Sequence, residues 1–233
     1  MRVAIMQPYL FPYPGYYQLM KAADVFFIYD DVNYIKKGWI NRNRIILNGK
    51  EFYFTLPCKK ISQNKLINEI EIDFSSGFFT KFLKTVEQGY KRAPYFNETM
   101  GILSEIMLFK ENNLALFLKN SILKMAEYLN LDRTFELTSI ANSESRGMEK
   151  ADRLIAICSK IGAKEYINSM GGVELYKKEY FKDKGIKLLF LKSGITEYSQ
   201  YSDEFIGNLS IIDFLMYEGK ESAADVLDNY ELI

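Results

Sequence analysis

Fifteen consecutive residues, Asp30-Asp31-Val32-Asn33-Tyr34-Ile35-Lys36-Lys37-Gly38-Trp39-Ile40-Asn41-Arg42-Asn43-Arg44, gather two carboxylates, several amides, two lysines, two arginines and the only tryptophan. A carboxylate such as Asp30 or Asp31 can accept a proton from an amine. Lys37, Arg42 and Arg44 can hold phosphates, the arginines through paired hydrogen bonds. A nucleotide-linked substrate calls for both kinds of group. The same run also reads as a solvated charged loop with Trp39 as its anchor.

A second constellation, Met6 to Leu19, holds Gln7, Tyr9, Phe11 and Tyr16, and three of the chain's five prolines fall within seven residues of it. A stiff loop lined by aromatic rings can hold a planar or sugar ligand with little entropy loss. The plainer alternative is that these rings plug the end of a sheet. Gly171-Gly172 forms a third candidate, a strand-to-helix turn whose backbone N–H groups can face an anion or serve only as a tight connection. Around Leu209 to Asp213, Ser210 is suited to cap a helix and Asp213 to complement its dipole. Adjacent strand residues point to opposite faces, so Asp30 and Asp31 do not predict a metal site.

The elements that must carry these residues alternate. Arg2 to Met6 predicts a strand, Gly15 to Ala23 a helix, and Val25 to Tyr29 a second buried strand that delivers Asp30 and Asp31 at its carboxyl end. Asn48-Gly49 between apolar runs predicts a hairpin over Arg44 to Pro57. Asn68 to Ile72 alternates like a strand. Phe78 to Tyr128 carries three helical patterns with breaks near Ala93-Pro94 and Asn112-Asn113. Beyond it the spacing predicts a strand at Phe135 to Ile140, a helix at Met148 to Ile161 and a strand at Ala163 to Ile167. A helix at Glu174 to Asp183, a strand at Ile186 to Leu191 and a helix or turn at Leu209 to Met216 follow. This rhythm predicts an α/β fold: a mostly parallel, three-layer, Rossmann-like sheet with an antiparallel hairpin excursion and a helical middle segment, 78–130, within one domain, 1–233. In such sheets ligands bind beyond the carboxyl ends of the strands, which lets the Gln7 to Gly15 loop and the Asp30-Asp31 loop converge.

Composition narrows the chemistry. Histidine is absent, so every mechanism that needs imidazole drops out. Lys plus Arg and Asp plus Glu both number 30, so no overall field draws the chain to nucleic acid or an anionic membrane, and no general nucleic-acid surface is expected. Val3 to Met20 lacks charge, but its prolines forbid a continuous membrane helix. Cys58 and Cys158 lie in unlike contexts, which suits a reducing, cytoplasmic setting.

Several ordered motifs, Gln7 to Tyr16, Asp30 to Tyr34 and Asn41 to Asn43, with Gly171-Gly172, Leu175-Tyr176, Gly185-Ile186 and Leu209 to Asp213 behind them, resemble the WbqC-like family over nearly the whole chain. That resemblance implies a role in bacterial surface-polysaccharide or O-antigen assembly. It also implies transfer of an acyl or aminoacyl group, including glycyl, to the amine of a nucleotide-linked amino sugar. On this expectation Asp30 or Asp31 is the base, while Lys37, Arg42 and Arg44 hold phosphates. Gln7, Tyr9, Phe11, Tyr16, Tyr34, Trp39, Asn41, Gly171 and Gly172 shape the substrate pocket. The partners are the sugar nucleotide and an activated acyl or aminoacyl donor of unknown kind, and no further cofactor is predicted. The opening strand, loop and helix also resemble nucleotidylyltransferase and adenylate-forming folds, with Tyr13-Pro14-Gly15-Tyr16 where those carry a His-x-Gly-His loop. A third reading is a module that presents a sugar nucleotide and catalyses nothing.

Overall fold

The computed structural model describes residues 1–233. Its centre is a sheet that begins with β1 (Arg2–Met6), apolar and alternating between the two faces: Ala4 enters one core, Val3 and Ile5 the other. The chain turns through α1 (Pro14–Ala22), which Pro14 opens at its first position, into β2 (Val25–Ile28), parallel to β1.

A long excursion follows. β3 (Arg42–Leu47) and β4 (Lys50–Thr55) form a hairpin whose turn residues Asn48 and Gly49 both take positive φ, 53° and 73°, as an Asn-Gly turn should. β5 (Cys58–Lys59) and β6 (Glu71–Ile72) make a second, minimal ladder. The strand expected over Asn68 to Ile72 survives only at Glu71–Ile72, because the Glu69 side chain reaches back to the Leu66 N–H and closes a 3-10 turn at Ile67–Glu69. Three helices complete the excursion: α2 (Phe78–Tyr90), α3 (Phe96–Leu108) and α4 (Leu114–Tyr128). They break where the sequence predicts, and Asn113 caps α4 by accepting from the Leu116 N–H.

The chain then rejoins the sheet as β7 (Thr134–Leu137), shorter than expected because Thr138 and Ser139 turn into α5 (Thr138–Ala141) to face Asp30 and Asp31. α6 (Lys150–Lys160), β8 (Glu165–Ser169), α7 (Lys178–Asp183) and β9 (Lys187–Ser193) follow. α8 (Ile211–Asp228) is longer than the sequence pattern shows, because Gly219 at φ 74° joins two helical pieces across a kink. β10 (Tyr230–Leu232), which the sequence reading missed, adds an antiparallel edge.

The strand order β7-β2-β1-β8-β9-β10 is the 3-2-1-4-5-6 order of doubly wound folds, with β7, β2, β1, β8 and β9 parallel. α1, α8 and the helical excursion cover one face in a cluster of 50 buried residues. α6 and α7 cover the other in a cluster of 13. The expected three-layer α/β class is therefore present. No helix is long and apolar enough to cross a membrane.

Candidate functional site: a crevice at the switch point

From β1 the chain winds to β2 on one side, and it later returns to place β8 on the other, so the carboxyl ends of β1 and β8 flank a topological switch point. A crevice forms there because the two following loops diverge. It consists of two cavities that share Tyr9, Tyr13, Trp39 and Asn208. The inner one, about 350 Å³, lies between Met6, Ser169, Gly171, Leu191 and Ser193 at the ends of β1, β8 and β9. The outer one, about 340 Å³, opens toward Asn43 and Arg44 on β3.

The Pro-rich loop lacks ladder partners and is clamped from two directions. Asn43 Nδ2 donates to the Leu10 carbonyl at 3.0 Å and the Phe11 carbonyl at 2.8 Å. Ser210 Oγ, the α8 cap, donates to the Phe11 carbonyl at 2.7 Å. These bonds hold Phe11 at φ 45°, turn its ring into the core and leave Tyr9 and Tyr13 facing the crevice. Tyr16 donates to the Gln7 carbonyl at 2.9 Å and packs its ring 5.6 Å from that of Tyr9. Gly15 lies beneath Tyr13: a Cβ there would stand 2.3 Å from the ring and displace it.

The β3 side supplies charge. Trp39 is 38% exposed and lies nearly parallel to Tyr53, with centroids 6.4 Å apart. The Arg42 guanidinium sits 5.6 Å and 5.0 Å from those two rings, and that of Arg44 sits 5.6 Å from Trp39. Arg42 donates to the Lys37 carbonyl; Arg44 pairs with Glu51 and donates to the Gly207 carbonyl at 3.1 Å. The Nε–H groups of both arginines are buried and without a partner. Burial pushes the Tyr9 phenol up to about 12 and raises that of Tyr13, so both stay protonated donors.

The structure brings Tyr9, Tyr16, Trp39, Arg44 and Gly171 together around the crevice. Arg42, and the exposed Lys37 whose carbonyl it takes, stand on the same charged side; Gln7 sits at the exit of β1. Gly172 is buried and follows Gly171 in a 3-10 turn.

Other expectations require correction. Phe11 is fully buried and stacks on Phe82 with centroids 5.7 Å apart, so it is core. Tyr34 is 2% exposed and donates to Asn41 Oδ1 at 2.7 Å, while Asn41 Nδ2 donates to the Leu56 carbonyl at 2.8 Å; both hold the excursion together. Asp30 and Asp31 do not line the crevice. Asp30 accepts from the Ser139 N–H at 3.0 Å, Ser139 Oγ at 2.6 Å and Asn68 Nδ2 at 3.2 Å. Asp31 accepts from Thr138 Oγ1 at 2.6 Å and pairs with Arg153 Nη2 at 2.6 Å, its side chain wholly buried. Both carboxylates are buried and engaged by α5 and Arg153, with Arg146 Nε a further 3.7 Å from Asp31, so neither faces the crevice.

Sequence reasoning missed Asn43, whose place inside the Asn-Arg-Asn run was its only signal, and Asn208, which had none. It also missed Ser169, Ser193 and Leu191, which reach the crevice by lying at the carboxyl ends of β8 and β9. Asp213 proves structural: buried, it accepts from Tyr90, Tyr198 and Gln200, each at 2.7 Å, and so ties the 195–208 loop to α8.

Comparison with known proteins finds similarity along nearly the whole chain. A Mycobacterium tuberculosis protein described as uncharacterized protein Rv1507c is 29% identical over 226 residues, covering 95% of each chain. No solved structure matches the chain. The family model of WbqC-like proteins matches residues 7–225, which takes in the Pro-rich loop, the charged segment, the Gly-Gly turn and most of α8, and the chain therefore belongs to the WbqC-like protein family.

Proposed function

We propose that the protein binds a nucleotide-linked amino sugar in the switch-point crevice and transfers an acyl or aminoacyl group to the sugar's amine, in surface-polysaccharide assembly. The observation that carries this reading is that three aromatic rings, Tyr9, Tyr13 and Trp39, meet Arg44 of β3 in a crevice that opens at the carboxyl ends of β1 and β8. Rings cover the faces of sugars and bases, and a guanidinium holds a diphosphate.

Transfer to an amine from an already activated acyl donor needs chiefly positioning. The amine lone pair forms the new bond to the acyl carbon, the donor's sulfur or oxygen leaves with its bonding pair, and the nitrogen's proton passes to solvent. Tyr9 and Tyr13 supply phenolic donors to the carbonyl oxygen as negative charge develops on it. Asp30 and Asp31 serve as a fixed clamp between the end of β2 and α5.

One observation favours a second reading, a binding module without catalysis: the crevice lining holds no aspartate, glutamate, lysine or cysteine. Incubation of the protein with amino-sugar nucleotides and acyl-CoA, acyl-adenylate or aminoacyl-tRNA donors separates the two. N-acylated product from any pair supports transfer, whereas binding without product supports the module. Stabilisation by ATP alone, with no response to sugar nucleotides, refutes both and favours adenylate-forming chemistry.

A further inference from the structure

We infer that the crevice divides its ligands by charge: the outer cavity takes the diphosphate and base of the sugar nucleotide, and the inner cavity takes a short, uncharged acyl group in preference to an aminoacyl group bearing an ammonium. The inference rests on the transfer reading above and narrows it.

The two cavities are similar in volume but differ in chemistry. The outer one carries the crevice's arginine, Arg44, with the Arg42 guanidinium held against the same tryptophan. The inner one has no charged lining residue; besides the aromatic rings, Met6, Leu19, Met170 and Leu191 form its apolar part, and Ser169, Ser193 and Asn208 add uncharged polar groups. A phosphate therefore has a charged partner only on the outer side. At about 350 Å³ and bounded by the backbone of Gly15 and Gly171, the inner cavity suits a small group.

An ammonium placed there would lose part of its hydration to these walls and meet no carboxylate. Partial loss of hydration costs an ion more than a neighbouring aromatic face returns. The balance favours a neutral amide product, such as N-acetyl, over an N-glycyl product. The wall shared by Tyr9, Tyr13 and Asn208 is then where the amine of the outer ligand meets the acyl carbon of the inner one.

Calorimetric titration of the whole chain with five probes tests the division: UDP, dTDP, and one UDP-linked amino sugar as the free amine, the N-acetyl amide and the N-glycyl amide. The expected result is binding of at least one diphosphate and an affinity for the N-acetyl compound about tenfold or more above that for the N-glycyl compound. Ser193, exposed at the end of β9, provides the reciprocal test. Ser193→Asp should reverse the preference, and Ser193→Leu should weaken the N-acetyl compound about tenfold while leaving the diphosphates within twofold. Equal or tighter binding of the N-glycyl compound by the unaltered protein, with the diphosphates still bound, overturns this inference alone. Failure of every nucleotide probe to bind removes the transfer reading with it.

Discussion

Asp31 Oδ2 and Arg153 Nη2 lie 2.6 Å apart although 122 residues separate them, and both side chains are almost wholly buried. The pair fixes α6 against the end of β2. Arg153 also donates to Ser145 Oγ at 3.2 Å and to the Asp31 carbonyl at 3.3 Å, so one guanidinium holds the turn before α6 as well. Removing Arg153 leaves the buried Asp31 with only the half-exposed Arg146 Nε, 3.7 Å away, as a cationic partner. Arg153→Met should therefore lower the unfolding free energy by about 3–5 kcal/mol, read from urea unfolding. A loss below about 1 kcal/mol, the range of an exposed pair, would show that the clamp carries no weight.

Substitutions at Phe11 and Trp39 should separate, because one ring is core and the other lines the crevice. Phe11→Ala should cost about 3–5 kcal/mol of stability. Trp39→Ala should leave the urea midpoint nearly unchanged and weaken binding of a nucleotide-linked amino sugar about tenfold or more, since aromatic stacking on a base is worth roughly 1–3 kcal/mol. A Trp39→Ala protein that binds as the parent does would remove the ring from the site.

Asp213 should give stability a distinctive pH dependence. Burial raises its carboxyl above the usual value of 3.8, while hydrogen bonds from Tyr198, Tyr90 and Gln200 pull it down in part. The folded state thus holds the proton more tightly than the unfolded chain does. The resulting stabilisation is present below 3.8 and is lost as pH rises through the folded value. The stability of the parent relative to Asp213→Asn should fall as pH is raised from 3.8 across that window, measured by urea unfolding at each pH. A difference that grows with pH would contradict the assigned direction.

Gly219 should resist substitution for two separable reasons. Its φ of 74° with ψ of −177° is a region that glycine alone occupies readily, and a Cβ there would lie 2.6 Å from the Tyr95 ring. Gly219→Ala should lower stability by at least the roughly 1–3 kcal/mol of backbone strain, seen as a fall in thermal midpoint. Adding Tyr95→Ala would remove the clash but not the strain. A smaller effect of Gly219→Ala in the Tyr95→Ala background than in the parent would confirm that both terms operate.

The local chain settled much of the fold on its own. Val25 to Ile28 is too short and too β-branched and aromatic for a helix, and Asn48-Gly49 supplies the two positive φ angles that a tight hairpin needs, so both elements follow from neighbouring residues. The three helices of the excursion and the position of the Pro-rich loop after the first strand were legible for the same reason. Where the reading fell short, a distant partner intervened. β7 gives way to α5 at Thr138 to meet Asp30 and Asp31, and α8 runs on past a glycine that packs under Tyr95.

The division within the candidate site has the same cause. The sequence marked Tyr9, Phe11, Trp39, Arg44, Asp30 and Asp31 as chemically capable, because side-chain type is a local property. Which of them meets a ligand depends on burial and hydrogen-bond partners more than a hundred residues away, such as Ser210 on the Phe11 carbonyl and Arg153 on Asp31. Strand order also lies beyond the sequence, since β1 must choose β8 as its neighbour across the whole excursion. Only that tertiary choice creates the switch point, and with it the crevice between the ends of β1 and β8.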